Sequence, residues 1–70
     1  MIRFDKLWLL LEQRGLSKYA LSSKYKVSKA QLYRLQHNQP VSSNTIDKLC
    51  NLLDCDVGDI MHHEKDDNTF

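Results

Sequence analysis

The stretch from Ser17 to Asn38, SKYALSSKYKVSKAQLYRLQHN, leaves this chain few ways to fold. Leu21 and Tyr25 stand four residues apart, Leu32 and Leu35 stand three apart, and Val27 lies between the two sets. That spacing belongs to helix and not to strand, so it predicts two short helices with inward apolar stripes, joined by a tight break. Ser17 and Ser28 each stand just before a helix, where a hydroxyl can accept from free backbone N–H groups. With the stripes packed inward, the second helix presents Lys29, Ala30, Tyr33, Arg34 and His37 on one outward face. The face is basic, hydrogen-bonding and aromatic, and it contains no carboxylate.

Charge is sorted along the chain around this stretch. From Gln13 to Ile46 there is no Asp or Glu, while Arg14, Lys18, Lys24, Lys26, Lys29 and Arg34 are all positive. From Asp47 onward seven carboxylates face only Lys48 and Lys65. The net charge of +1 therefore hides a positive block that coincides with the two-helix motif. A charge run is most often only a solvated face, but its coincidence with the motif favours an anionic partner.

The flanking segments predict further helices. Phe4 to Arg14 carries Phe4, Leu7, Leu10 and Leu11 at core spacing and stops at Gly15, with Leu16 placed to pack back on the last turn. Trp8 and Leu9 are surplus to one core face; they serve either as a partner surface or as cover for the edge of a small core. After the loop HNQPVSSN, Ser42 or Ser43 caps a fourth helix to about Leu53, with Ile46, Leu49, Cys50 and Leu53 inward. Asp54 or Asp56 caps a fifth around Val57 to Met61. The acidic run HHEKDDNTF shows no apolar period and is expected to fray. This divides the chain into a domain at 1–61 and a flexible tail at 62–70, with Leu7, Leu11, Leu21, Val27, Leu32, Leu35, Ile46, Leu49, Leu53 and Ile60 as core.

The order of features resembles the helix-turn-helix of the phage repressor and Cro-type (XRE-like) family. That family runs from a Ser or Thr cap through a Leu-Ala pair and Gly-Val-Ser to a recognition helix ending near Asn or Gly. Here the cap is Ser17, the pair Leu21-Ser22, the turn Lys26-Val27-Ser28 and the end Asn38. Ser22 and Lys26 depart from the pattern. Ser replaces Ala at a close crossing if its hydroxyl bonds back to its own helix, whereas Lys26 is strained by any φ > 0. The resemblance covers about residues 4 to 61 and implies an all-α, five-short-helix, lambda-repressor-like domain. It also implies that the third helix enters the major groove of double-stranded DNA.

On that implication Lys29, Ala30, Gln31, Tyr33 and Arg34 are the base-reading candidates: Lys29 and Arg34 donate to guanine, and the Ala30 methyl meets thymine. Ser17, Lys18, Lys26, Ser28, Asn38 and Ser43, at helix ends and in loops, form the phosphate set. One module reaches only about four or five base pairs, so a homodimer on DNA is expected, with recognition helices about 34 Å apart. The fourth and fifth helices, or Trp8 and Leu9, are candidates for its contact.

Other classes fit poorly. No stretch approaches the roughly 18 apolar residues of a membrane span, and the charged N-terminus does not read as a signal peptide, so a cytoplasmic protein is expected. Cys50 and Cys55 lie about 140° apart around a helix, which predicts free thiols and no disulfide. His62, His63, Glu64, Asp66 and Asp67 lack a scaffold for metal binding or acid–base work, and no catalytic set, cofactor site or small-molecule effector domain is expected. The competing reading is a protein-interaction module, an antirepressor or adaptor, that keeps the fold without binding DNA.

Overall fold

Hydroxyl caps and left-handed stops mark out the helices. The structure, a computed structural model, describes residues 1–67. Among them are helices α1 (Asp5–Gln13), α2 (Lys18–Ser23), α3 (Lys29–Gln36) and α4 (Ser43–Leu53), followed by a 3₁₀ turn, Val57–Asp59. Ser17 Oγ accepts from the Ala20 N–H, Ser28 Oγ from Gln31 and Ser42 Oγ from Thr45, so α2, α3 and α4 each begin at a serine. Ser42 is thus the α4 cap and Ser43 its first helical residue. The fifth helix is reduced to the 3₁₀ turn, which Asp56 caps in a reciprocal pair with Asp59.

Every α-helix is stopped by a left-handed residue just beyond it: Gly15 (φ 68°), Lys26 (φ 61°), Asn38 (φ 54°) and Asp54 (φ 49°). At Gly15 the Leu16 N–H returns to the Leu11 carbonyl at 2.9 Å. Val27 to Leu21 (2.7 Å), Gln39 to Arg34 (2.8 Å) and Cys55 to Cys50 (3.1 Å) close the other three ends. Lys26 accepts the strain that its side chain imposes, so the α2–α3 turn is as tight as a glycine would make it.

These short helices share one interior. Leu7, Leu11, Leu21, Val27, Leu32, Leu35, Leu49, Leu53 and Ile60 are buried, and Phe4 joins them from just before α1. Ile46 is only half-buried and packs against the edge of the core, as Trp8, Leu10, Tyr25 and Cys50 each do. Leu9 stays exposed. Both cysteines are free and half-buried, and burial pushes the Cys55 thiol up from its ordinary pKa.

The segment after Met61 departs from a frayed tail. His62–His63 forms strand β2, antiparallel to β1 (Ile2–Arg3), with Ile2 opposite His63 and Arg3 opposite His62. The Glu64 N–H donates to the Met1 carbonyl at 2.8 Å, and the Met1 ammonium pairs with Asp66 at 2.9 Å. The cause lies at the other end of the chain: burying Phe4 fixes Ile2–Arg3 in extended form, whose backbone groups then find partners in His62–His63. Arg3 also holds Asp5 at 2.7 Å and keeps its carboxyl below the usual range. Of the expected tail, residues 68–70 lie outside the described residues.

Two substitutions test this account. Leu32→Ala removes a buried side chain from a small core and is expected to cost about 2–5 kcal/mol, read as a lowered denaturant midpoint. Lys26→Gly relieves the left-handed strain and is expected to stabilise by about 1 kcal/mol, raising the melting temperature by about 4–8 °C. A lower melting temperature in the glycine variant would refute the strained turn.

Candidate nucleic-acid interface

The interface is assembled from α3 and the helix ends around it. In α2, Ser22 Oγ and Ser23 Oγ both donate to the Tyr19 carbonyl, at 3.1 and 3.0 Å. Ser22 therefore needs no partner across the helix crossing and serves there as a small residue. Beyond the turn, Lys48 of α4 donates to the Lys26 carbonyl at 3.1 Å, tying the turn to the fourth helix. Leu32 and Leu35 then anchor the inner side of α3 in the core.

With α3 seated in this way, Lys29, Ala30, Tyr33, Arg34 and His37 are all exposed. The Tyr33 and His37 rings lie one turn apart and pack against each other, 4.1 Å between centroids and tilted by 48°. That contact brings the two rings together at one end of the face. Together the five side chains form an exposed surface with two cations and no carboxylate.

Gln31 is placed differently from the other base-reading candidates. It is half-buried at the border between α3 and α4, and its Oε1 accepts from Thr45 Oγ1 at 3.0 Å. Thr45 Oγ1 in turn lies 3.1 Å from Ser42 Oγ.

Of the phosphate candidates, Ser17, Lys18, Lys26, Ser28 and Ser43 are exposed at the starts of α2, α3 and α4 or in the turn. Ser17 and Ser28 accept backbone bonds through oxygen and keep their O–H for donation. Asn38 is drawn elsewhere. It is half-buried, and its Oδ1 accepts from the Phe4 N–H at 2.8 Å across the domain, which gives it a structural role the spacing did not suggest. Thr45 and Lys48 were not singled out by sequence as parts of this region, whereas Ser42 was one of the two serines expected to cap α4.

A short helix, a tight left-handed turn and a second helix whose outer face is basic and whose inner face is buried define the helix-turn-helix class of DNA-binding domain. The profile of the Cro/C1-type HTH DNA-binding domain matches residues 6–66, and the chain belongs to that family. Its fold is similar to the crystal structure of the transcriptional regulator VanUg, form II. The TM-score is 0.83 at 36% sequence identity, over 87% of this chain and 81% of that one. No curated protein matches the chain.

Asn38→Gly separates the two roles open to that residue. Glycine keeps the left-handed stop but leaves the Phe4 N–H without its partner, so stability is expected to fall by about 1–3 kcal/mol in urea unfolding. An unchanged unfolding midpoint together with weakened duplex binding would return Asn38 to the phosphate set.

Proposed function

We propose that this protein is a sequence-specific transcriptional regulator of the phage or bacterial repressor type. It binds double-stranded DNA as a homodimer, with α3 lying in the major groove. The observation that carries this reading is the exposed face of α3, which holds Lys29, Ala30, Tyr33 and Arg34, lacks carboxylates and has a buried reverse side. Such a helix can approach a polyanion without like-charge repulsion while its core anchor keeps its angle fixed.

Each side chain has a part that follows from its chemistry. Lys29 and Ala30 lie in the first turn of α3, which enters deepest; Lys29 donates to guanine O6 or N7, and Ala30 meets a thymine methyl. Arg34 lies one turn further on, and its fork matches the paired acceptors of guanine. Tyr33, braced by His37, reaches a base edge or the backbone beside it. Ser17, Lys18, Lys26, Ser28 and Ser43 hold phosphates on either side and fix the register. A second copy supplies the other half-site, because one such helix spans too few base pairs to single out a site. A regulator of this kind works in the cytoplasm.

Selection of bound duplexes from a random pool tests the reading, and a palindrome with half-sites one helical turn apart is the expected product. On the selected site, Lys29→Ala and Arg34→Ala are expected to lose about 1–3 kcal/mol each and to relax preference at particular base pairs. Lys18→Ala is expected to weaken every duplex alike and to reduce the salt slope by about one. Recovery of no duplex by the folded protein would instead favour an interaction module.

A further inference from the structure

The geometry points to Thr45 as a positioning residue that fixes the Gln31 amide as a donor, so that Gln31 selects guanine or thymine over adenine or cytosine at one base pair. This rests on the DNA-reading role of α3 proposed above.

With the Gln31 amide oxygen toward Thr45, the hydrogen atoms allow one arrangement. Gln31 Oε1 carries no hydrogen, so the Thr45 hydroxyl must donate across the 3.0 Å between them. Thr45 has a single hydroxyl hydrogen, so in the 3.1 Å contact with Ser42 the donor must be Ser42. Ser42 Oγ remains free to accept, and it accepts from the Thr45 N–H at 3.2 Å. The chain Thr45 N–H to Ser42 Oγ–H to Thr45 Oγ1–H to Gln31 Oε1 thus closes with every group satisfied. Gln31 is itself fixed at the start of α3, where its backbone N–H donates to Ser28 Oγ at 3.2 Å.

A free glutamine is ambidextrous. It binds adenine with both ends at once, the oxygen accepting from N6 and the amide donating to N7. Here Thr45 takes one lone pair of the oxygen and holds it toward α4, so the oxygen is turned from the paired geometry adenine needs and the two amide hydrogens are the groups left for a base. They suit guanine, whose O6 and N7 both accept, and thymine O4, whereas adenine offers them N7 alone beside an amino donor and cytosine offers only its amino group. The specificity therefore comes from a residue on α4 that touches no base.

Duplex selection with wild type and with Thr45→Val, Thr45→Ser, Thr45→Ala and Gln31→Glu tests this, each variant first checked for a cooperative melt. Wild type and Thr45→Ser are expected to prefer guanine or thymine at one base pair by about tenfold. Thr45→Val and Thr45→Ala release the oxygen and are expected to move that preference to adenine, leaving the positions read by Lys29 and Arg34 unchanged. Gln31→Glu alters α3 alone, still accepts from Thr45 and now offers only acceptors; it is expected to turn the preference to cytosine or adenine. If Thr45→Val keeps the wild-type preference, or weakens all duplexes equally, or if Gln31→Glu retains guanine or thymine, the assignment is overturned while the DNA reading stands. Failure of the wild-type protein to select any duplex overturns both.

Discussion

None of the helices here is long enough to persist alone, and that constraint governs the whole architecture. α2 has 6 residues and α3 has 8, well under the roughly 12–15 at which even favourable sequences become marginally helical in water. They exist because Leu21, Val27, Leu32 and Leu35 share an interior with Leu7, Leu11, Leu49, Leu53 and Ile60. The outward chemistry of α3 is therefore a product of tertiary packing. Remove the core and the helix loses its orientation and its structure together, so the reading surface is only as rigid as a small set of leucines allows.

Much of this was legible in the sequence, because the signals are local. The apolar periods picked out nine of the ten buried side chains among the named core and placed Phe4 at core spacing, and the serine caps fixed where helices begin. Helix ends were harder to read. Gly15, Asn38 and, less readily, Asp54 are residue types that enter left-handed backbone, but Lys26 does so against preference. Nothing local favours φ > 0 at a lysine; the conformation is imposed by the need to turn the chain back and bury Val27 just beyond α2, and the Val27 N–H bond to the Leu21 carbonyl records it.

What sequence could not reach are the contacts made between distant elements. The strand at His62–His63 depends on a partner about sixty residues earlier, and two residues per strand leave no alternating pattern to detect. Asn38 serves the Phe4 N–H across 34 positions, and Thr45 serves Gln31 across 14. In each case residue type announced a polar capacity without saying where it would be spent. The outward face of α3 was legible as a set of residues, whereas the direction of the Gln31 amide became visible only once α4 was set beside α3.

The low net charge takes on a different meaning in this light. The Met1 ammonium pairs with Asp66, and Arg3 with Asp5 and Glu64, so part of the acidic C-terminal run is matched to the N-terminus. Exposed charges more than about 8–10 Å away are largely screened at physiological ionic strength, so a nucleic acid would sense the local cations of α3 and its flanks more than the total. A chain with a large overall positive charge would gain affinity for all DNA alike. On the function proposed above, gathering cations around α3 limits that indiscriminate attraction and leaves preference to groups such as Lys29, Arg34 and an oriented Gln31, and it is the ratio of specific to non-specific binding that sets where a regulator resides on a genome.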